Sequence, residues 1–270
     1  MVPSKTRSVS VEQSKIWFRM AKLHSDNSAD ALQKSVYKCR LVSHDYLFFS
    51  TIGFRDTRMT NYIGNYALMY AINRRTSDIQ RNASGTSPFY EKDMPKMKIY
   101  STPAFIASES KVPISKHNLI RWENQPQAYV TFNSINTITQ LTENNRVNLP
   151  QIGRKAKFPP LNSFEFFAIG GDPSGVLRLG KKQVACRIFA EPLNVKEVSS
   201  DAFHPSHPIN LEDLRGLLPT DIKSAELIKQ TPPLIINAYL KAEHYICSDG
   251  INTYNVLKPD AGKYQSVALP

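Results

Sequence analysis

The feature that most constrains this chain is a period-two alternation within residues 35–50. There Tyr37, Cys39 and Leu41 alternate with Lys38 and Arg40. A strand points successive side chains to opposite faces. The segment therefore predicts a strand with one apolar and one basic face. Residues 128–136, 164–171 and 184–193 supply three more β-type runs, AYVTFNSIN, FEFFAIGG and VACRIFAEPL. Residues 62–75, YIGNYALMYAINRR, read instead as a helix that Thr60 or Asn61 can cap. Apolar side chains surround most of it, as in a buried helix. Strand followed by helix starts an α/β-type unit.

Residues 1–34 read as an N-terminal extension, helical over 11–24, where Ile16, Trp17, Met20 and Leu23 share a face. Such a basic amphipathic segment docks on its own core or binds an acidic protein or membrane. Residues 76–127 are rich in Ser, Asn and Pro and poor in periodic runs. They read as an insertion with short strands near 96–107 and a mobile tip near Arg81–Pro88. Residues 201–270 form a C-terminal part. It reads as a short helix from Asn210, a second helix from Thr220 to Lys229, and a hairpin of 234–247 and 251–257 around a Ser-Asp-Gly turn.

Lys and Arg number 34 against 23 Asp and Glu, a net charge of +11. Such a surplus suits a polyanionic partner, although a solvated surface has the same composition. The three cysteines are odd in number and form no CxxC pair, so neither a zinc knuckle nor a disulfide framework is expected. No apolar run approaches the length of a membrane span, and the first 15 residues, MVPSKTRSVSVEQSK, lack the apolar core of a signal peptide. These readings together predict a cytoplasmic protein without a membrane.

The densest chemical signal is GGDPSGVLRLGKK at 170–182. Gly170, Gly171, Gly175 and Gly180 allow backbone N–H groups to approach a phosphate, and Arg178, Lys181 and Lys182 add charge. The segment is neither a Walker A loop nor a GxGxxG fingerprint, so no cofactor is predicted. An ordinary turn with a solvated basic end explains it equally well. His44 could act as a general base, although a loop histidine satisfied by a backbone bond explains it too, and none of the six histidines has catalytic or metal-ligand spacing. His204 and His207 read as exposed loop residues. Phe164, Phe166 and Phe167 read as core rather than as a base-stacking platform, since no RNP1 pattern is present.

Four segments occur together in order: VYKCRLVSHDYLFFSTIGF, NYIGNYALMYAI, YSTPA at 100–104, and LRLGKKQVACRIFAE. Together they resemble the Csc-one branch of the Cas-five family, small backbone subunits of type I-D CRISPR Cascade complexes. The resemblance covers about residues 35–200. It implies an α+β fold with a ferredoxin-like, RNA-recognition-type antiparallel sheet, a thumb at about 76–127, and a C-terminal hairpin. It implies a non-catalytic role, binding the five-prime handle of a CRISPR RNA at one end of a filament of Cas-seven-type subunits. It also implies contact with a Cas-ten-type large subunit and, as a further option, with target DNA near the protospacer-adjacent motif. The handle contacts it favours are the glycines and cations of 170–182, with Lys38, Arg40, Arg74, Arg75 and Arg81 as further cations. The alternative is a metal-independent endoribonuclease processing CRISPR precursor RNA, as in type I-C systems, for which His44, His117, Tyr66 and Lys181 offer parts.

Overall fold

The structure, a computed structural model, describes residues 36–49, 56–57, 60–74, 88–106, 128–134, 151–180, 183–214 and 216–270. The expected N-terminal extension and the segments 75–87 and 107–127 lie outside them.

Strand β1 (Val36–Ser43) sits in the middle of the main sheet. The sheet continues with β3 (Tyr62–Ile63), β4 (Tyr100–Ser101), β5 (Ala104–Ile106), β8 (Ser163–Ile169) and β9 (Gly175–Leu179). It is completed by β10 (Val184–Ser199), β15 (His244–Ser248) and β16 (Thr253–Leu257). The order is β16-β15-β10-β1-β8-β5-β3, with β4 also on β8 and β9 also on β10. All of its ladders are antiparallel. The period-two pattern decides which face goes inward. Tyr37, Cys39 and Leu41 join Phe164, Phe166, Leu177, Cys186 and Ile188 in one buried cluster, and Leu68 and Ile72 of the helix Asn65–Asn73 belong to it. The helix starts three residues later than the sequence pattern suggests, because Tyr62 and Ile63 pair with β5 as a strand. Gly64 precedes it in extended conformation, with no side-chain cap.

A four-stranded sheet combines β11 (Ala202–Phe203), β12 (Ile209–Asn210), β13 (Ile222–Ile228) and β14 (Leu234–Lys241). Here two expectations change. Within residues 220–229, Ile222–Ile228 form a strand instead of a helix, since Leu227 and Ile228 pair with Ile235 and Leu234. The run at 210 tightens to a 3₁₀ turn, Leu211–Leu214. The C-terminal hairpin exists as β15–β16, but the run 234–247 is divided between two sheets. A three-stranded sheet contains β2 (Asp56–Thr57), β6 (Ala128–Ser134) and β7 (Gln151–Lys157), with the one parallel ladder among the described residues between β2 and β7.

Residues 88–106, assigned from sequence to the insertion, pack into the core instead. Met94, Met97, Ile99, Tyr100 and Ala104 are buried, and β4 and β5 pair with β8. Apolar side chains spaced through a polar segment, with no sustained period, concealed this.

Candidate nucleic-acid interface

The second face of the main sheet is partly open. Directly opposed residues in a ladder point to the same side. Tyr62 opposes Phe105, Phe105 opposes Glu165, Glu165 opposes Arg40, and Arg40 opposes Phe189. One row of side chains thus crosses five strands. A neighbouring row places Val42 beside Arg187 and Arg187 beside Val176. Arg178 points to the same side, because its neighbours Leu177 and Leu179 are buried.

Phe189 is the unusual member of this face, with 43% of its surface exposed. The Arg40 guanidinium lies 5.3 Å from its ring centroid and that of Arg187 5.9 Å. Cations over an aromatic face are attracted by its quadrupole. An exposed ring flanked by two guanidiniums can stack an unpaired base while the cations meet its phosphates.

Toward β15 and β16 the same face is covered by C-terminal residues. The half-buried Lys38 donates to the Tyr254 hydroxyl at 3.0 Å and lies 4.9 Å from its ring centroid. Desolvation pulls the Lys38 ammonium down, but the Tyr254 hydrogen bond and the negative charges of Glu165 and Asp249 outweigh it and raise its pKa. It therefore stays charged. Tyr254 in turn donates to Asp249 at 2.7 Å. The Asn252 N–H, the Tyr254 hydroxyl and the Ile251 N–H hold that carboxylate well below the usual range. Where the covering segment ends, a hollow of about 590 Å³ opens between Phe105, Glu165 and Phe167 on the sheet and Asn252 and Tyr254 on the cover.

The glycine-rich segment is two separate turns. Gly170 follows the end of β8, level with Val36, whereas Gly180 closes the β9–β10 turn beyond the other end of β1. Both have positive φ, and a Cβ would lie 2.5 Å from the Lys98 carbonyl oxygen at Gly170 and 2.6 Å from that of Phe48 at Gly180. Close backbone packing accounts for these two glycines. Gly171 lies against Ile99, and Gly175 begins β9. The four glycines do not converge on one point.

The family model for the type I-D CRISPR-associated protein Cas5/Csc1 matches residues 34–264. This chain belongs to that family. No curated protein matches it. Among solved structures, a chain of the Type III-B Cmr-beta complex bound to cognate target RNA and AMPPnP is similar with a TM-score of 0.41 and 9% identity, over 77% of this chain and 85% of that one.

In this Cas5/Csc1-family protein the structure brings together three of the cations singled out from sequence, Lys38, Arg40 and Arg178, on one sheet face. Arg178 also donates to the Gln183 carbonyl at 3.1 Å. Arg74 ends the helix on the opposite face. Arg75, Arg81, Lys181, Lys182 and His117 lie outside the described residues. Arg187 and Phe189 were missed, although the signal was present: in VACRIFAE the buried Cys186 and Ile188 alternate with both.

The shared motifs have structural tasks too. Asn65 and Tyr66 of NYAL join a network around the buried Asp213. Its carboxylate accepts from Asn65 at 2.7 Å, Tyr100 at 3.1 Å, Lys263 at 2.6 Å and Tyr264 at 2.6 Å. Tyr66 donates to Glu212 at 3.0 Å and accepts from Lys263 at 2.7 Å. Desolvation first, then the Asp213 charge, pushes the Tyr66, Tyr100 and Tyr264 hydroxyls far up, so they remain donors. In YSTPA, Thr102 bridges a point where Pro103 cannot donate. Its N–H reaches the Phe167 carbonyl and its hydroxyl accepts the Phe167 N–H, both at 2.9 Å.

His207 is buried, contrary to the loop reading. Pro208 and Leu257 satisfy its two ring nitrogens. His44 is exposed. No group of three or more His, Cys, Asp or Glu among the described residues could hold a metal ion, and no described helix is long and apolar enough to cross a membrane.

Proposed function

We propose that the chain is a non-catalytic RNA-binding subunit of a type I-D CRISPR effector complex, and that the open sheet face receives the five-prime handle of the CRISPR RNA. The observation that carries this reading is Phe189, exposed between Arg40 and Arg187 in the middle of a basic sheet surface. Strand order supports a ferredoxin-like core. Taken as first to fourth in the chain, β1, β5, β8 and β10 lie side by side as fourth, first, third, second, and the helix Asn65–Asn73 follows the first. The β9 hairpin stands where such a fold has its second helix. In this reading the subunit ends a filament of Cas-seven-type subunits in the Cascade complex, with a Cas-ten-type large subunit and target DNA near the protospacer-adjacent motif close by. Processing of the precursor is left to another enzyme.

The test is fluorescence anisotropy of repeat-derived single-stranded RNA with the purified chain. Phe189→Ala should cost about 1–3 kcal/mol of binding through lost stacking. Arg40→Ala with Arg187→Ala should flatten the salt slope by about 0.7 for each lost phosphate contact. Unchanged affinity and slope would refute the assignment. Cleavage of the repeat RNA by the pure chain without metal would overturn the non-catalytic part.

A further inference from the structure

The hollow beside the platform contains a group that phosphate binding does not explain. Glu165 stands in the row of open-face side chains between Phe105 and Arg40. It is half-buried at the edge of the hollow. Among the described residues no hydrogen bond or ion pair reaches its carboxylate. A carboxylate in a basic face repels phosphates. Glu165 lends its charge to Lys38, and its carboxylate can also meet the part of a nucleotide that offers N–H donors, the edge of a base.

The surroundings fit a base. Phe105 and Tyr254 give the hollow aromatic sides, and the buried Phe167 ring backs Tyr254 with centroids 5.5 Å apart. The Tyr254 ring is held in place because its hydroxyl accepts from Lys38 and donates to Asp249. The hollow, about 590 Å³, is an open depression with room for a base. Unpaired RNA bases are recognised by aromatic stacking together with hydrogen bonds to the Watson–Crick edge.

We propose that this hollow takes a single flipped-out guanine, its N1–H and 2-amino group donating together to the two oxygens of Glu165. Guanine is the one standard base whose Watson–Crick edge presents two adjacent N–H donors. Adenine and cytosine present one amino group beside an acceptor, which would oppose a carboxylate oxygen. Uracil presents one N–H between two carbonyls. The inference rests on the open sheet face being the RNA surface. It adds base selectivity to a platform that otherwise reads stacking and charge.

The experiment measures binding of the full chain to three fluorescent uridine oligomers that carry guanine, inosine or adenine at one central position. The wild-type chain should favour guanine over adenine by roughly tenfold or more, as expected for a bidentate contact. Inosine, which keeps N1–H and lacks the 2-amino group, should fall between. Glu165→Gln removes the charge at nearly constant shape. It should erase the guanine preference while leaving the adenine oligomer bound at least as tightly. Thr220→Ala, an exposed position outside the hollow, serves as a folded control that should retain the preference. Equal affinity of the wild-type chain for all three oligomers would overturn the guanine pocket and leave the platform intact. A preference that survives Glu165→Gln would remove Glu165 from the contact. Failure to bind any oligomer would overturn both readings.

Discussion

His207 gives the structure a predictable sensitivity to acid. Its Nδ1 lies 2.7 Å from the Pro208 carbonyl oxygen and its Nε2 accepts the Leu257 N–H at 3.1 Å. One nitrogen must carry hydrogen and the other a lone pair, which describes the neutral ring. Burial lowers its pKa to about 4, partly offset by the Pro208 bond. The unfolded chain keeps a value near 6.5. Above that value both states are neutral and the residue adds no pH dependence. As pH falls below 6.5 the unfolded state takes up a proton and the folded state does not, so stability drops until about pH 4. A difference of about 2.5 units corresponds to about 3.4 kcal/mol in full, and to about 2 kcal/mol at pH 5. Urea unfolding at pH 8 and pH 5 should be compared for the wild type and His207→Gln, which cannot titrate. The wild type should lose about 2 kcal/mol more than the variant on acidification. Equal losses would mean that the ring is solvated, and would refute the buried, doubly hydrogen-bonded His207 described above.

Asp213→Ala should destabilise the chain by about 3 kcal/mol or more, because it strands buried donors and leaves Lys263 without its partner; thermal melting reads this directly. Gly180→Ala should cost about 1 kcal/mol or more, since φ is positive and the new Cβ would meet the Phe48 carbonyl. RNA affinity of the folded fraction should not change, whereas a phosphate cradle at Gly180 would lose affinity as well. Phe189→Ala should shift stability by no more than about 0.5 kcal/mol, because the ring is exposed, so any binding loss it causes is a surface effect; denaturant midpoints check it.

Strong local patterns made much of the fold legible in the sequence. The alternation of Tyr37, Cys39 and Leu41 with Lys38 and Arg40 defined both faces of β1, and Asp249–Gly250 marked the β15–β16 turn. The strand Ile222–Ile228 was not legible, because its run IKSAELI is mostly exposed and its strand character comes from pairing with β14. Short strands near 96–107 were legible and are β4 and β5, but the packing of residues 88–106 into the core was missed for the reverse reason: their buried side chains follow no period and are ordered by distant partners. Asn73 is an example, accepting from the backbone N–H groups of Lys98 and Ile99. The candidate site was half visible. Lys38, Arg40 and Arg178 could be named as cations, but their common face with Arg187 and Phe189 depends on the register of three strands. The glycines drew attention as a phosphate motif, and two of them prove to be close-packing positions.

The most direct test of the central claim is ultraviolet cross-linking of the assembled complex with its own CRISPR RNA, followed by mass spectrometry of the cross-linked peptides. The account predicts adducts on the peptides of β1 and β10, with Phe189 as the principal site and loss of that adduct in Phe189→Ala. Cross-links confined to the opposite side, such as the peptide carrying Arg74, with none on β1 or β10, would contradict it.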